Sequence, residues 1–356
     1  MRKIKLLVYR VNKHYSLSDF TISKSEYLHF PDAVYKPTIY QGFLNDDYFE
    51  IVDDPDAAEF ILFPLDLYSI IYRCGIYGDY KSFFNINDPD GHKKILSLLY
   101  KLPYFATHQE KHLLFNGHDW DGPYNVRCIV AGPSLSTYSG VRHITLPFLI
   151  DDLRYGLDRT DIKYFTNFVG YYSSHPLRGK LAQSLVSYLE CNTDLPIYVR
   201  FNGTFHPQLA CEERIKRRNE FLKAMAASLT TLCPRGTGFN SARFFETMCM
   251  GRVPILISDG CELPSAGEID WDSLILRIDE GEIDNIGSIL RKFSTKFDAH
   301  QLARMGIKNR IVWETYMQPS IIPKLYHTAL SRFLEEAEKK NIPNDNVNQL
   351  SQGMHY

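Results

Sequence analysis

The sequence predicts an α/β protein made of two Rossmann-like domains that face each other across a cleft. Three observations predict it. The chain has 356 residues, more than a single core usually serves. Short runs rich in β-branched and aromatic residues alternate with helical patterns, as in a parallel sheet covered by helices. The alternation pauses once, at DDLRYGLDRTDIK (Asp151 to Lys163), which is charged, poor in apolar periodicity and reads as an interdomain connection.

In the first half, strands are expected at IKLLVYRV (Ile4 to Val11), EFILFPL (Glu59 to Leu65), HLLF (His112 to Phe115), RCIVAG (Arg127 to Gly132) and HITLPF (His143 to Phe148). A helix is expected at GHKKILSLLYKL, Gly91 to Leu102. In the second half, YFTNFVGYY and PIYVRF read as strands on either side of the helix LRGKLAQSLVSYLE. The helix ERIKRRNEFLKAMAASL follows, then the strand TTLCP, a helix from about Ser241, and the strand VPILIS. The chain ends in two helical patterns, from about Asp298 to Tyr316 and from Pro323 to Lys340. The proline suits a first turn, where no amide donor is needed. The expected division is one domain over 1–160, a second over 161–312, a helix over 313–341 that packs back on them, and a loose tail over 342–356.

Charge and cysteine content exclude several classes. A net charge of −2 with no long basic run disfavours a nucleic-acid partner, and the densest cluster, Lys216 to Arg218, reads as a helix surface. The seven cysteines form no CxxC pair and no metal-ligand spacing, which fits free thiols in a reducing compartment. Arg10 and Lys13 interrupt the apolar start, so no signal peptide is expected. No apolar run reaches the roughly 18 residues of a membrane span, and a cytoplasmic protein is expected.

Chemistry concentrates in CPRGTGFNSARFFETMCMGRVPILISDG, Cys233 to Gly260. The strand TTLCP leads through RGTGFN into a helix that Gly251 ends, which makes the loop a strand-to-helix turn at the carboxyl edge of a parallel sheet. Open α/β folds place ligands there, and a helix start offers unpaired N–H groups to an anion. Gly236 and Gly238 let backbone amides approach closely. Ser241 can cap the helix or bond a phosphate oxygen, Asn240 stands beside it, and Arg235 and Arg243 add charge. Arg243 and Glu246 share a helical face, so one could hold a diphosphate while the other accepts bonds from ribose hydroxyls. The alternative is a plain connector whose Arg243 and Glu246 pair on the surface. The loop is neither a P-loop nor GxGxxG. The acidic triplets DPD (Asp54 to Asp56 and Asp88 to Asp90) read as turns, and no metal site is expected.

The same region resembles the exostosin-like glycosyltransferase family. Ser241, Arg243, Glu246, Gly251, Pro254, Pro264, Asp270 and Trp271 stand in the order of the family's pattern. FILFPLDLY and PYFATHQEKHLLFNGHDWDG match its amino half, with Phe105 in place of the usual Trp and Lys111 in place of the usual Asp. The resemblance implies a GT-B arrangement, with the acceptor side in the first domain and the nucleotide sugar, a UDP-linked one, held by the second. It implies inversion at the anomeric carbon without metal or cofactor. It also places Arg178, after FVGYYSSHP, near the donor phosphate, where a surface salt bridge is the other reading. The expected acceptor is a glycan or glycolipid in surface-polysaccharide or other glycan assembly, with peripheral membrane association only through that acceptor. Two rivals are a non-catalytic glycan- or nucleotide-binding module and a nucleotide-sugar epimerase or dehydrogenase. The latter would need GxGxxG near the first strand, where VYRVNKHYS offers none.

Inverting transfer needs a group to take the acceptor's proton. Asp66, directly after FILFPL, and the pair His118 and Asp119, after HLLFNG, follow first-half strands. Asp66 ranks first, with a helix cap as its other reading. His118 ranks second, because an unperturbed imidazole titrates near neutrality.

Overall fold

The structure, a computed structural model, describes residues 2–10, 13, 47–67, 93, 96–117, 127–133, 142–153, 161–203, 210–265 and 267–341. Strands β1 (Ile4–Val8), β2 (Phe49–Ile51), β3 (Phe60–Asp66), β4 (His112–Phe115), β5 (Ile129–Gly132) and β6 (Arg142–Thr145) form one sheet. Every pairing is parallel, in the order β2-β1-β3-β4-β5-β6. All residues of β4 and β5 are buried, as a parallel sheet covered on both faces requires. Pro64 lies within β3. The strand runs on to Asp66 with a register shift between Phe63 and Asp66, which accommodates a residue that cannot donate to the ladder.

The second half contains β7 (Thr166–Tyr171), α1 (Pro176–Cys191), β8 (Ile197–Asn202), α2 (Cys211–Ala226), β9 (Thr230–Pro234), α3 (Ala242–Cys249), β10 (Val253–Ile257) and β11 (Leu276–Ile278). Helices α4 (Ile286–Lys296), α5 (Ala299–Tyr316) and α6 (Ile322–Asn341) follow. β7 pairs with β8, and β10 lies between β9 and β11, all parallel. The two groups meet where Leu229 N donates to Tyr164 O (3.0 Å) and Thr230 N to Phe165 O (2.9 Å). The buried Asn167 amide then bridges them, donating to Thr230 O (3.1 Å) and Thr231 Oγ1 (3.0 Å). The spatial order is therefore β8-β7-β9-β10-β11, and the winding reverses between β7 and β9. That reversal opens a crevice beyond the carboxyl ends of β7 and β9.

Three elements lie beyond the sequence expectation: β2, β11 and α4. The two strands have only three residues each, too few to show a period. The expected helix over 91–102 is helical at 93 and 96–99 among its described residues. Gly251 ends α3 with φ +66°, the left-handed turn expected of it. A capping box between Asp298 and Gln301 starts α5. α5 continues unbroken through residue 313, so the helix that returns to the first half is α6. Ile322, Tyr326 and Leu330 of α6 share the first sheet's core with Leu6, Leu62 and Leu113.

His112 opens β4 and is fully buried. Its Nδ1 donates to His108 O (2.8 Å) and its Nε2 accepts from the Tyr9 hydroxyl (2.9 Å), which holds the ring neutral. Burial pushes its pKa down to about 4. Between that value and the unfolded pKa of about 6.5, only the unfolded chain binds the proton. Stability is therefore whole above pH 6.5 and falls as the pH drops, by about 3 kcal/mol near pH 4. Urea unfolding between pH 7 and 4 should show this slope, and His112→Asn, less stable throughout, should lack the His112 share of it. An equal slope in both proteins would refute the assignment.

Candidate functional site

The loop Arg235 to Ser241 leaves β9 at the crevice. Arg235 N extends the ladder to Ile257 O (3.0 Å) before the chain turns away. Arg178, in the first turn of α1, is spent on carbonyls. Its Nε donates to Arg235 O (2.9 Å), Nη2 to Pro234 O (3.2 Å) and Nη1 to Tyr171 O (3.4 Å). It thus ties the carboxyl ends of β7 and β9 together, a planar fork meeting two strand ends at once. The loop passes over the guanidinium at Gly236, where a Cβ would stand 3.4 Å from Arg178 Nη2, in van der Waals contact. Gly238 is buried within the same loop.

Arg235 lies flat on the Phe239 ring, 3.8 Å from its centroid. Its Nη2 donates to Thr237 O (3.1 Å), and its Nη1 is 3.6 Å from Glu280 Oε1. Glu280 also accepts from Asp259 N (3.2 Å). His175 caps α1 with Nδ1, which accepts from Leu177 N (3.3 Å). Burial, then the charge of Arg235, lowers its pKa, so a neutral imidazole stands beside the two arginines.

Asn240 is 3% exposed and has both ends of its amide engaged. Oδ1 accepts from Ser241 N (2.8 Å) and Nδ2 donates to Pro133 O (3.1 Å), the residue after β5. The carboxyl edge of the first sheet is thereby held against the loop of the second. Ser241 is the N-cap of α3, but its hydroxyl makes no capping bond.

Arg243 is 9% exposed and Glu246 7%. They do not pair with one another, so the surface-connector alternative fails. Arg243 Nη2 donates to Val169 O (2.7 Å), and the guanidinium stacks 4.4 Å from the Phe168 centroid. Its Nε and Nη1 are buried and make no hydrogen bond among the described residues. Burial lowers its pKa, partly opposed by Cys233 and Glu246, yet a guanidinium stays charged in a protein. The Glu246 carboxylate is taken instead by Arg218 of α2, at 2.5 Å.

Asp66 closes β3 at the carboxyl edge of the first sheet, beside the β1–β3 reversal. His118 and Asp119 lie outside the described residues. Asp54 accepts from Asp56 N (3.0 Å), the turn expected of the first DPD. The other DPD and the Asp119 to Asp121 triplet fall outside the described residues. Among the described residues no group of three or more His, Cys, Asp and Glu is arranged to hold a metal.

Sequence reasoning missed Gly170, His175, Arg218 and Glu280. Gly170 alone carried a signal, because a glycine inside an apolar strand marks a close approach. A Cβ there would lie 2.5 Å from Arg243 Nη2. Arg218 belongs to the cluster read as a helix surface, but one of its nitrogens reaches inward.

The Exostosin GT47 domain matches residues 39–293. The chain belongs to the exostosin GT47 family. It is 27% identical over 162 residues to the Exostosin-1 homolog of Caenorhabditis elegans, covering 44% of this chain and 41% of that one. It is 35% identical over 66 residues to a probable glucuronoxylan glucuronosyltransferase of Arabidopsis thaliana, covering 18% and 15%. The chain thus spans less than half the length of these GT47 relatives. Among solved structures, the Anabaena protein HepE in complex with UDP-glucose overlaps 94% of this chain and 100% of its own, with TM-score 0.41 and 12% identity. A glycosyltransferase from Rickettsia africae overlaps 94% and 99%, with TM-score 0.39 and 9% identity. These overlaps are too weak to match residue with residue. No helix among the described residues is long and apolar enough to cross a membrane.

A Cβ at Gly170 would meet the buried Arg243 guanidinium, so Gly170→Ala should displace Arg243 from Val169 O and cost about 1–3 kcal/mol of stability, the penalty for unpairing a buried donor. Pyrophosphate should raise the melting temperature of the wild-type protein and much less that of Gly170→Ala. Equal shifts would exclude an anion at Arg243.

Proposed function

We propose that this chain is an inverting, metal-independent glycosyltransferase. It moves a sugar from a nucleotide-sugar donor, UDP-linked, to a glycan or glycolipid acceptor. The single observation that carries the reading is the Arg243 guanidinium, buried at the crevice with two N–H groups uncommitted among the described residues. A buried charge is costly unless paired. Val169 O satisfies one donor, and Glu246 is turned toward Arg218. A diphosphate would supply the missing anion and meet the start of α3 as well.

In the reaction the bond from the anomeric carbon to the diphosphate oxygen breaks and that oxygen keeps the electron pair. The acceptor oxygen bonds to the opposite face of the same carbon and gives its proton to a base in the first half. Arg243 and the α3 amides stabilise the charge growing on the leaving diphosphate, so no divalent ion is required for that task. Glu246 accepts from ribose hydroxyls. Arg178 and Arg235 shape the loop rather than bind first-hand, since their nitrogens already meet carbonyls, Phe239 and Glu280. Asp66 is the proposed base, with His118 behind it, because β3 ends at the first sheet's own reversal point.

Two further considerations support the reading over its rivals. A dehydrogenase would need a dinucleotide fingerprint after β1, and VYRVNKHYS has none. A module that bound only glycans would not need an uncompensated guanidinium beside a helix start. A panel of nucleotide sugars, scored by release of the nucleoside diphosphate in excess EDTA, tests the reading and identifies the donor. In that assay folded Arg243→Ala should lose about 2–4 kcal/mol of transition-state stabilisation. Unchanged turnover, or activity that vanishes in EDTA and returns with manganese, would reject the site as proposed. Asp66→Asn should bind UDP normally while transfer to acceptor collapses. Normal transfer by that variant would move the base to His118.

A further inference from the structure

We propose that Arg218, on α2 and outside the loop, is a positioning residue that keeps the two donor contacts on α3 apart. The inference rests on the reading of Arg243 and Glu246 as contacts to diphosphate and ribose. Those two residues stand three positions apart on one helix, the spacing at which an arginine and a glutamate pair. Left to themselves they would neutralise one another, and the crevice would hold a closed ion pair with nothing to offer a ligand.

Arg218 prevents this. Its Nη1 donates to Glu246 Oε1 at 2.5 Å. Among the described residues Oε2 makes no hydrogen bond, so one carboxylate oxygen is anchored and the other is left to accept. The guanidinium of Arg218 lies 5.2 Å from the Phe221 ring centroid, and that of Arg243 lies 5.4 Å from the same ring. Phe221 is itself buried against Val169 and Met225. The ring therefore gives both arginines an apolar surface and fixes their spacing, with the carboxylate drawn to the outer one. Arg243 keeps Val169 O as its single acceptor among the described residues. Two guanidiniums stand against one carboxylate, an excess of one positive charge at a buried place. That excess suits an anionic ligand, and it stays on Arg243 only while Glu246 is held by Arg218.

Isothermal titration of UDP and 2′,3′-dideoxy-UDP against the intact chain separates this role from a merely structural one. The wild-type protein should prefer UDP by about tenfold, the worth of a charge-assisted hydrogen bond. Glu246→Gln should abolish the preference. Arg218→Met, which retains an apolar stem on Phe221, should shrink the preference and weaken both nucleotides by about tenfold, because the released carboxylate turns to Arg243. Arg218→Lys should recover part of both. Adding Glu246→Gln to Arg218→Met should restore affinity for the diphosphate, since no carboxylate remains to neutralise Arg243. A structural defect would not be repaired in this way. Arg218→Met with wild-type preference and affinity, or a double variant that binds no better than Arg218→Met, would overturn the proposal. If Glu246→Gln keeps the preference, the reading of Glu246 as the ribose contact fails instead, a separate result.

Discussion

One buried charge organises the carboxyl edge of the second sheet. Arg243 is the second residue of α3 and lies across the end of β7, with Val169 O as its one hydrogen-bond acceptor among the described residues. For that to happen β7 must have a glycine at 170, α2 must present Phe221, and α3 must start where the β9 loop delivers it. A guanidinium so placed destabilises the unliganded protein relative to a paired one. The loop around it is shaped by contacts of its own, so the cost falls on the fold and the free donors stay available.

The four arginines near the crevice show how similar side chains take different work. Arg178 is a strut, because three of its nitrogens meet strand-end carbonyls. Arg235 is pinned by Phe239 and Glu280. Arg218 holds a carboxylate from a helix surface. Arg243 alone among these combines deep burial with unused donors. Charge counting treats all four alike. Bond counting singles out Arg243.

The two halves are joined by contacts that are both polar and apolar. Asn240 ties the loop to Pro133, and Arg310 of α5 grips Asp152 through both carboxylate oxygens (2.7 and 2.5 Å). Phe148, just beyond β6, packs on Phe245 of α3 at 5.9 Å between centroids. α6 then carries the chain back to the first core. The connection at 151–153 is thus held at its start, and the carboxyl edges of the two sheets are fixed toward each other.

The sequence by itself determined the parallel α/β class, nine of the eleven described strands and five of the six long helices to within a few residues, and the loop that carries Arg243. These are local matters: periodicity, β-branched runs, a glycine after a helix and a cap before one are written in adjacent residues. It also placed the chain near its family, since the motif from Ser241 to Trp271 is contiguous. β2 and β11 stayed hidden because three residues carry no period, and α4 because nothing marked its start. Tertiary structure alone decided that β7 sits beside β9, since Asn167 and Thr230 are distant in sequence. It alone joined Asn240 to Pro133 O, Arg178 to three strand-end carbonyls and Glu246 to Arg218. The physical reason is that a charged or amide side chain has few bonds to make, and which partners reach it first is set by neighbours that the chain brings in from elsewhere.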